Sequence, residues 1–173
     1  EHGEPAPGQA QRRPHARGSQ LPRGGYYTQP STSALMAMDS DALAAVDGFV
    51  VGREDYGSIK WLGETDVRGL TLDSIVTILD GEVAVYDSWE ARKPREGTYL
   101  NKPAEVTLCG VWPNAEDYGV ERGPPPQPLS DDAAVGQEAQ LKAHCAEMGM
   151  TFVSYEASGG KWVFRVPHFS RWG

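Results

Sequence analysis

Cysteine is scarce in this chain. Only Cys109 and Cys145 occur among 173 residues, too few for a disulfide framework. Cys109 lies in an apolar run and is expected as a buried thiol. Cys145 follows His144, but no second ligand pair stands at zinc spacing, so neither a metal nor a cofactor site is expected. Long apolar runs are missing as well. No stretch approaches the ~18 residues a membrane span needs, so no membrane partner is expected. The opening Glu1-His2-Gly3-Glu4 lacks both an initiator methionine and the basic-then-apolar layout of a signal peptide, and the sequence reads as a fragment or processed piece. Positive charge is short where it would serve nucleic acid. The formal charge is −8; residues 1–25 carry four arginines and two glutamates, which leaves −10 on the rest. A body this acidic is a poor default binder of phosphate backbones. RNA is therefore a disfavoured partner, approachable only through the tail arginines Arg12, Arg13, Arg17 and Arg23, which prolines and other residues interrupt.

What is present divides the chain in two. Residues 1–25 are rich in Pro, Gly, Gln and Arg and show no apolar period. They cannot bury enough surface to offset the entropy of ordering, and are read as a disordered linker or tail. From Tyr26 the character changes, and residues 26–173 are read as one domain. Ser31 and Asp39 or Ser40 are candidate helix caps, with Leu35, Met36, Leu43 and Val46 as the packed face. Strands follow at Phe49–Val51, Tyr56–Trp61, Ile75–Leu79, Glu82–Tyr86 and Glu105–Trp112. Asp80-Gly81, between two β-rich runs, predicts a type I′ hairpin. Val67–Leu72 is expected as a connecting turn. Pro113–Leu129 reads as a long loop, expected to be mobile. A helix begins at Asp131 or Asp132 and ends at Gly149, with Ala133, Val135, Ala139, Leu141, Cys145 and Met148 on its packed stripe. A last hairpin joins Thr151–Tyr155 to Lys161–Val166. The sum is an α+β fold, a mainly antiparallel β-sandwich-like domain flanked by two helical segments.

Three clusters could carry chemistry. Gly52-Arg53-Glu54-Asp55-Tyr56-Gly57-Ser58 has the glycine spacing of a phosphate loop but lacks its lysine, and a tight turn between strands is the better reading. Glu54 with Asp55, and Glu64 with Asp66, are paired carboxylates at turns, read as solvated charges. The third is His168-Phe169-Ser170. A serine hydroxyl is a weak nucleophile until a base takes its proton, and histidine suits that task near neutral pH. In a regular strand residues two apart share a side, but direct contact needs a kink, and Pro167 loosens pairing just upstream.

Read together, the ordered motifs carry a resemblance. Gly25-Tyr26-Tyr27, Gly52-Arg53, Tyr56-Gly57-Ser58-Ile59, Leu72-Asp73, Ile75-Val76, Glu82-Val83, Val85-Tyr86, Leu100-Asn101, Ala104-Glu105-Val106-Thr107-Leu108, Trp112-Pro113, Gly160-x-Trp162-x-Phe164-x-Val166 and His168-Phe169-Ser170 occur in that order. Over about residues 21–173 the chain resembles the C-terminal autoproteolytic domain of the GLFG-repeat nucleoporins, including the one made as a precursor with a scaffold nucleoporin. The resemblance implies an autocatalytic serine peptidase acting once in cis. Its cut would fall between Phe169 and Ser170, by an N-to-O acyl shift onto Ser170 followed by ester hydrolysis, with His168 moving the proton. Asn101 and Lys102 are the candidate oxyanion donors. The implied partners are other nucleoporins, of scaffold and β-propeller type, and the domain's own C-terminal cleavage product. The implied place is the nuclear pore complex, in nucleocytoplasmic transport. A docking module of the same fold that does not cleave is the alternative. The chain departs from the pattern in having no FG repeat, in Pro167 before the histidine, and in Thr98-Tyr99 where a glycine-containing loop is usual.

Overall fold

Alternating burial along the strands sets the architecture. The computed structural model describes residues 24–87, 92–113, 125 and 127–173. Within them the order is β1 (Tyr26–Gln29), α1 (Thr32–Ala37), α2 (Ser40–Leu43), β2 (Val46–Asp47), β3 (Val50–Arg53), β4 (Gly57–Trp61), β5 (Glu64–Thr65), α3 (Leu72–Ile75), β6 (Val76–Leu79), β7 (Glu82–Val85), β8 (Ala104–Leu108), α4 (Asp131–Met148), β9 (Thr151–Glu156), β10 (Lys161–Val166) and β11 (Arg171–Trp172). A six-stranded sheet runs β1-β3-β4-β8-β10-β9, a three-stranded sheet β11-β7-β6, and β2 pairs with β5. Every pairing is antiparallel. The fold is thus α+β, as expected.

The register explains which face is the core. Val51 pairs with Ile59, Ile59 with Val106 and Val106 with Phe164, and all four are fully buried. One residue along, Gly52, Ser58 and Thr107 line the opposite face, because side chains alternate along a strand. The small sheet joins this core through Val76, Ile78, Val83 and Val85. It is tied to the edge of the large sheet by polar bonds: Ile78 N–H donates to the Tyr26 hydroxyl at 2.9 Å, and Arg53 Nη1 donates to the Ile78 carbonyl at 2.8 Å.

The apparent phosphate loop is the β3–β4 turn. Its glycines serve packing. A Cβ on Gly52 would lie 2.2 Å from Cζ of the Tyr27 ring, and one on Gly57 would lie 2.1 Å from the Thr107 carbonyl oxygen. At Gly57 the neighbour is backbone and only glycine fits, while at Gly52 a side chain would displace the exposed Tyr27 ring. Of the paired carboxylates, Asp66 meets Arg68 at 2.7 Å, both partly exposed, and that hydrogen bond holds its carboxyl below the usual range.

Several expectations are refined. Ser31 and Asp39 cap their helices through Ala34 N–H and Ala42 N–H. The long helix starts at Asp131, yet its cap is Ser130, whose hydroxyl accepts from Ala133 N–H. Its inward stripe is Gln137, Leu141 and Cys145, while Val135 and Met148 are exposed. Cys109 is only partly buried. A helical turn, α3, precedes β6, so that strand begins at Val76. At Asp80-Gly81 only the glycine has positive φ, 71°, so the two-residue turn is not type I′. The tail through residue 23, and most of the loop expected at 113–129, lie outside the described residues.

Candidate active site

The site forms where the chain changes sheets. β10 is paired on both sides, to β8 and β9, as far as Arg165, and to β8 at Val166. Pro167 follows, with no N–H to extend the ladder. The backbone bends at residues 167, 168 and 170. It then enters the small sheet as β11, with Arg171 opposite Ala84 and Trp172 opposite Val83. The kink expected at this point is therefore present, and His168-Phe169-Ser170 is the crossover itself.

Phe169 anchors it. The ring is fully buried and lies 5.6 Å from the Trp61 ring, which in turn stacks on Phe49 at 5.7 Å. Trp61 is fixed by its own indole N–H, which donates to the Leu100 carbonyl at 2.9 Å. Asn101 is the next residue along. It is buried, and its side chain bridges two backbones: Oδ1 accepts from Phe169 N–H at 3.0 Å, and Nδ2 donates to the Pro94 carbonyl at 2.9 Å. The orientation is dictated by the partners, since an N–H can only donate and a carbonyl can only accept. Backbone bonds from Gly97 N–H to Asn101 O at 2.7 Å, and from Asn101 N–H to Thr98 O at 3.0 Å, hold the loop that presents it.

On the other side, Val85 N–H donates to the Ser170 carbonyl at 2.9 Å. Trp172 Nε1 donates to the His168 carbonyl at 3.0 Å. The peptides before and after the Phe169–Ser170 bond are thus both held. Among the described residues, the Phe169 carbonyl and the Ser170 N–H have no hydrogen-bond partner.

The sequence-derived residues distribute unevenly. His168, Phe169, Ser170 and Asn101 come together. Lys102 does not join them: its ammonium donates to the Glu64 carbonyl at 2.5 Å and to Thr65 Oγ1 at 3.3 Å, on β5. Burial lowers its pKa there, partly offset by the charges of Asp47 and Glu64. Asn101 is expected as an oxyanion donor; in the structure its Nδ2 donates to the Pro94 carbonyl and its Oδ1 accepts from Phe169 N–H. His168 is half-buried with its ring 5.7 Å from the Trp172 ring, at 55°. Among the described residues no hydrogen bond joins its imidazole to Ser170.

Sequence reasoning missed two contributors. Tyr86 follows Val85 in the left-handed region, with φ 58°. Its buried hydroxyl accepts from Leu100 N–H at 3.4 Å, linking the end of β7 to the Asn101 loop. Burial pushes this phenol up to about 12, so it stays neutral across ordinary pH. No local sequence signal marks a non-glycine residue for that conformation. Trp172 is the second. It is buried, and its spacing of four from His168 carries no signal outside a helix. The tail has further holds. Arg171 pairs with Glu82 at 2.5 Å and with Asp87, and His144 Nε2 on α4 lies 3.0 Å from the Gly173 carbonyl oxygen.

The motif order led to this triplet, where Phe169 is buried and the next peptide has no hydrogen bond among the described residues, and comparison with known proteins decides the family. Residues 23–173 match the family described as Nucleoporin2: Nup98-96 autopeptidase S59. The chain belongs to this family. It is 39% identical over 160 residues to the Drosophila melanogaster nuclear pore complex protein Nup98-Nup96, covering 92% of this chain and 8% of that protein. It is 39% identical over 153 residues to Arabidopsis thaliana NUP98A, covering 87% and 14%. Among solved structures, a Chaetomium thermophilum Nup145N APD mutant fused to Nup145C N superposes with a TM-score of 0.70 at 31% identity, covering 84% of this chain and 95% of that one. The chain therefore spans about a tenth of the curated relatives' length. It is an autocatalytic peptidase domain of a nucleoporin, and its relatives place it at the nuclear pore, in the nucleus.

Proposed function

We propose that residues 26–173 cut their own chain between Phe169 and Ser170. Ser170 Oγ attacks the Phe169 carbonyl carbon. The Oγ–C bond forms, the C–N bond breaks, and the proton leaving Oγ ends on the freed Ser170 amine. His168 carries that proton. Water then adds to the ester, breaks the C–Oγ bond and leaves a Phe169 carboxylate. Asn101 holds the Phe169 N–H, so the acyl side stays fixed while the bond to Ser170 rearranges.

The observation that carries the reading is the pinning pattern. The His168 carbonyl, Phe169 N–H and Ser170 carbonyl are each held, and the peptide between Phe169 and Ser170 has no hydrogen bond among the described residues. That peptide can deform toward a tetrahedral carbon without breaking a hydrogen bond first. The second reading, docking without cleavage, draws on the His168 imidazole having no hydrogen bond to Ser170 among the described residues.

In either case the domain docks the protein that carries it onto other nucleoporins, of scaffold or β-propeller type, in support of nucleocytoplasmic transport, including that of mRNA. Support comes from a similar solved chain, with a TM-score of 0.68 at 26% identity, which belongs to the yeast heterotrimeric Nup82-Nup159-Nup116 nucleoporin complex. RNA is not the favoured partner of a body carrying −10.

The test is denaturing intact mass of the wild-type chain beside Ser170→Ala. The wild type is expected to lose Ser170 to Gly173 as a separate piece, and Ser170→Ala to remain whole. Identical uncut masses in both would remove autoproteolysis at this bond and favour the docking module.

A further inference from the structure

We infer that Trp172 is a positioning residue for His168, so that the fragment downstream of the cut supplies part of the apparatus that makes the cut. The inference rests on cleavage at Phe169–Ser170 as proposed above. Trp172 touches His168 in two independent ways. Its indole N–H donates to the His168 carbonyl at 3.0 Å, and its ring stands 5.7 Å from the imidazole at 55°. An edge-tilted aromatic pair at this separation is a favourable contact that fixes ring orientation. The indole is itself immobilised, being buried and opposite Val83 on β7. The bond from Trp172 to His168 spans four residues, and the Phe169–Ser170 bond lies inside the loop it closes.

The imidazole reaches Ser170 only if its ring and its carbonyl are both placed, because the kinked backbone no longer fixes the side chain. Two other groups hold the segment, Asn101 at Phe169 N–H and Val85 at the Ser170 carbonyl. Among the described residues neither is hydrogen-bonded to His168. Trp172 is the group among the described residues that holds both the imidazole and the carbonyl of His168. It also lies on the far side of the cut. Departure of the tail would carry the indole away and leave His168 without its brace. The positioning group thus leaves with the product, as Ser170 itself does.

The test has two arms. In the first, the full chain is made by cell-free translation and cleavage is followed in time across pH 5–9 for wild type, Trp172→Phe and Trp172→Ala. Trp172→Phe keeps a ring and removes the donor, and is expected to cleave roughly 3–10-fold more slowly, as loss of one hydrogen bond implies. Trp172→Ala should be slower still, with a displaced midpoint in its pH–rate profile. Wild-type rate and an unshifted profile in both variants would overturn the inference. In the second arm, the His168 ring resonances are titrated by NMR in Ser170→Ala and in Ser170→Ala/Trp172→Phe, both uncut. Altered His168 shifts and titration midpoint in the double variant support the brace, and unchanged resonances overturn it. This arm does not depend on cleavage. A wild type that never cleaves would sink the proposed function while the NMR comparison still decided the Trp172–His168 contact.

Discussion

The two sides of the Phe169–Ser170 bond are held by different physics. Upstream, Phe169 is fully buried against Trp61, and its N–H is bonded inside the protein to Asn101. Downstream, Arg171 and Trp172 lie along β7 as a two-residue strand, with Trp172 as its buried side chain. The rest of that hold is exposed: Arg171 against Glu82 and Asp87, and His144 against the Gly173 carbonyl. Burial of a large apolar ring is insensitive to salt and belongs to the core. Edge pairing and surface charge are weaker, and charge is screened. A cut between the two leaves an intact core on one side and an exchangeable strand on the other.

The strongest way to break this contrast is at Phe169. Phe169→Ala in an uncut Ser170→Ala background removes a fully buried ring beside Trp61 and leaves a cavity. The expected loss is about 3–5 kcal/mol of unfolding free energy, read from a urea titration. A loss under about 1 kcal/mol would mean that the upstream side is no better anchored than the tail.

Asn101 sharpens the same contrast on the polar side. Asn101→Ala leaves Phe169 N–H buried and unpaired and takes its partner from the part-buried Pro94 carbonyl. An unsatisfied buried group costs about 1–3 kcal/mol, so urea stability should fall by that order. Cleavage should slow as the acyl side loosens. Normal cleavage with lowered stability would confine Asn101 to loop structure and take it out of the site.

How much of this was legible beforehand depended on range. Ser31 and Asp39 could be read as caps because a cap bonds three residues ahead. The runs that became β4, β8 and β10 could be read because burial alternates locally along a strand. The triplet at 168–170 stood out through its residue types and the order of the motifs around it. What stayed hidden were meetings between distant segments. Asn101 reaches Phe169 across 68 residues, and its approach with oxygen rather than nitrogen follows from an N–H on one side and a carbonyl on the other. Lys102, its neighbour, was an equal candidate in the sequence, and one step along the chain sent it to β5 instead. The helix start at Asp131 could be read from the acidic run, while its cap, Ser130, with φ −62° and ψ 156°, went unread. Val135 and Met148 looked like core by their side chains, yet Gln137 was taken inward, because stripe position is set by what the helix packs on.

The smallest expected effect lies at Arg171, and it tests the downstream half of the comparison. Its guanidinium is paired twice with carboxylates, Glu82 on β7 and Asp87 just beyond it. These partners hold its pKa above the ordinary value, the Asp87 hydrogen bond being the largest cause. All three side chains are substantially exposed, so water and salt screen the attraction. The pairing should therefore tune how closely β11 lies on β7 without deciding whether the domain folds. A suitable reporter is the Val85 amide, which donates to the Ser170 carbonyl and becomes free when the tail lifts. In the uncut Ser170→Ala background, Arg171→Ala should speed hydrogen exchange at Val85 by roughly tenfold or less, with the urea midpoint nearly unchanged. Raising salt from 0.05 to about 0.5 M, where the Debye length drops well below 10 Å, should speed exchange in the parent and add little in Arg171→Ala. If exchange fails to respond to salt, the tail is held by burial of Trp172 more than by edge pairing and screened charge. The division at the cut would then lie elsewhere.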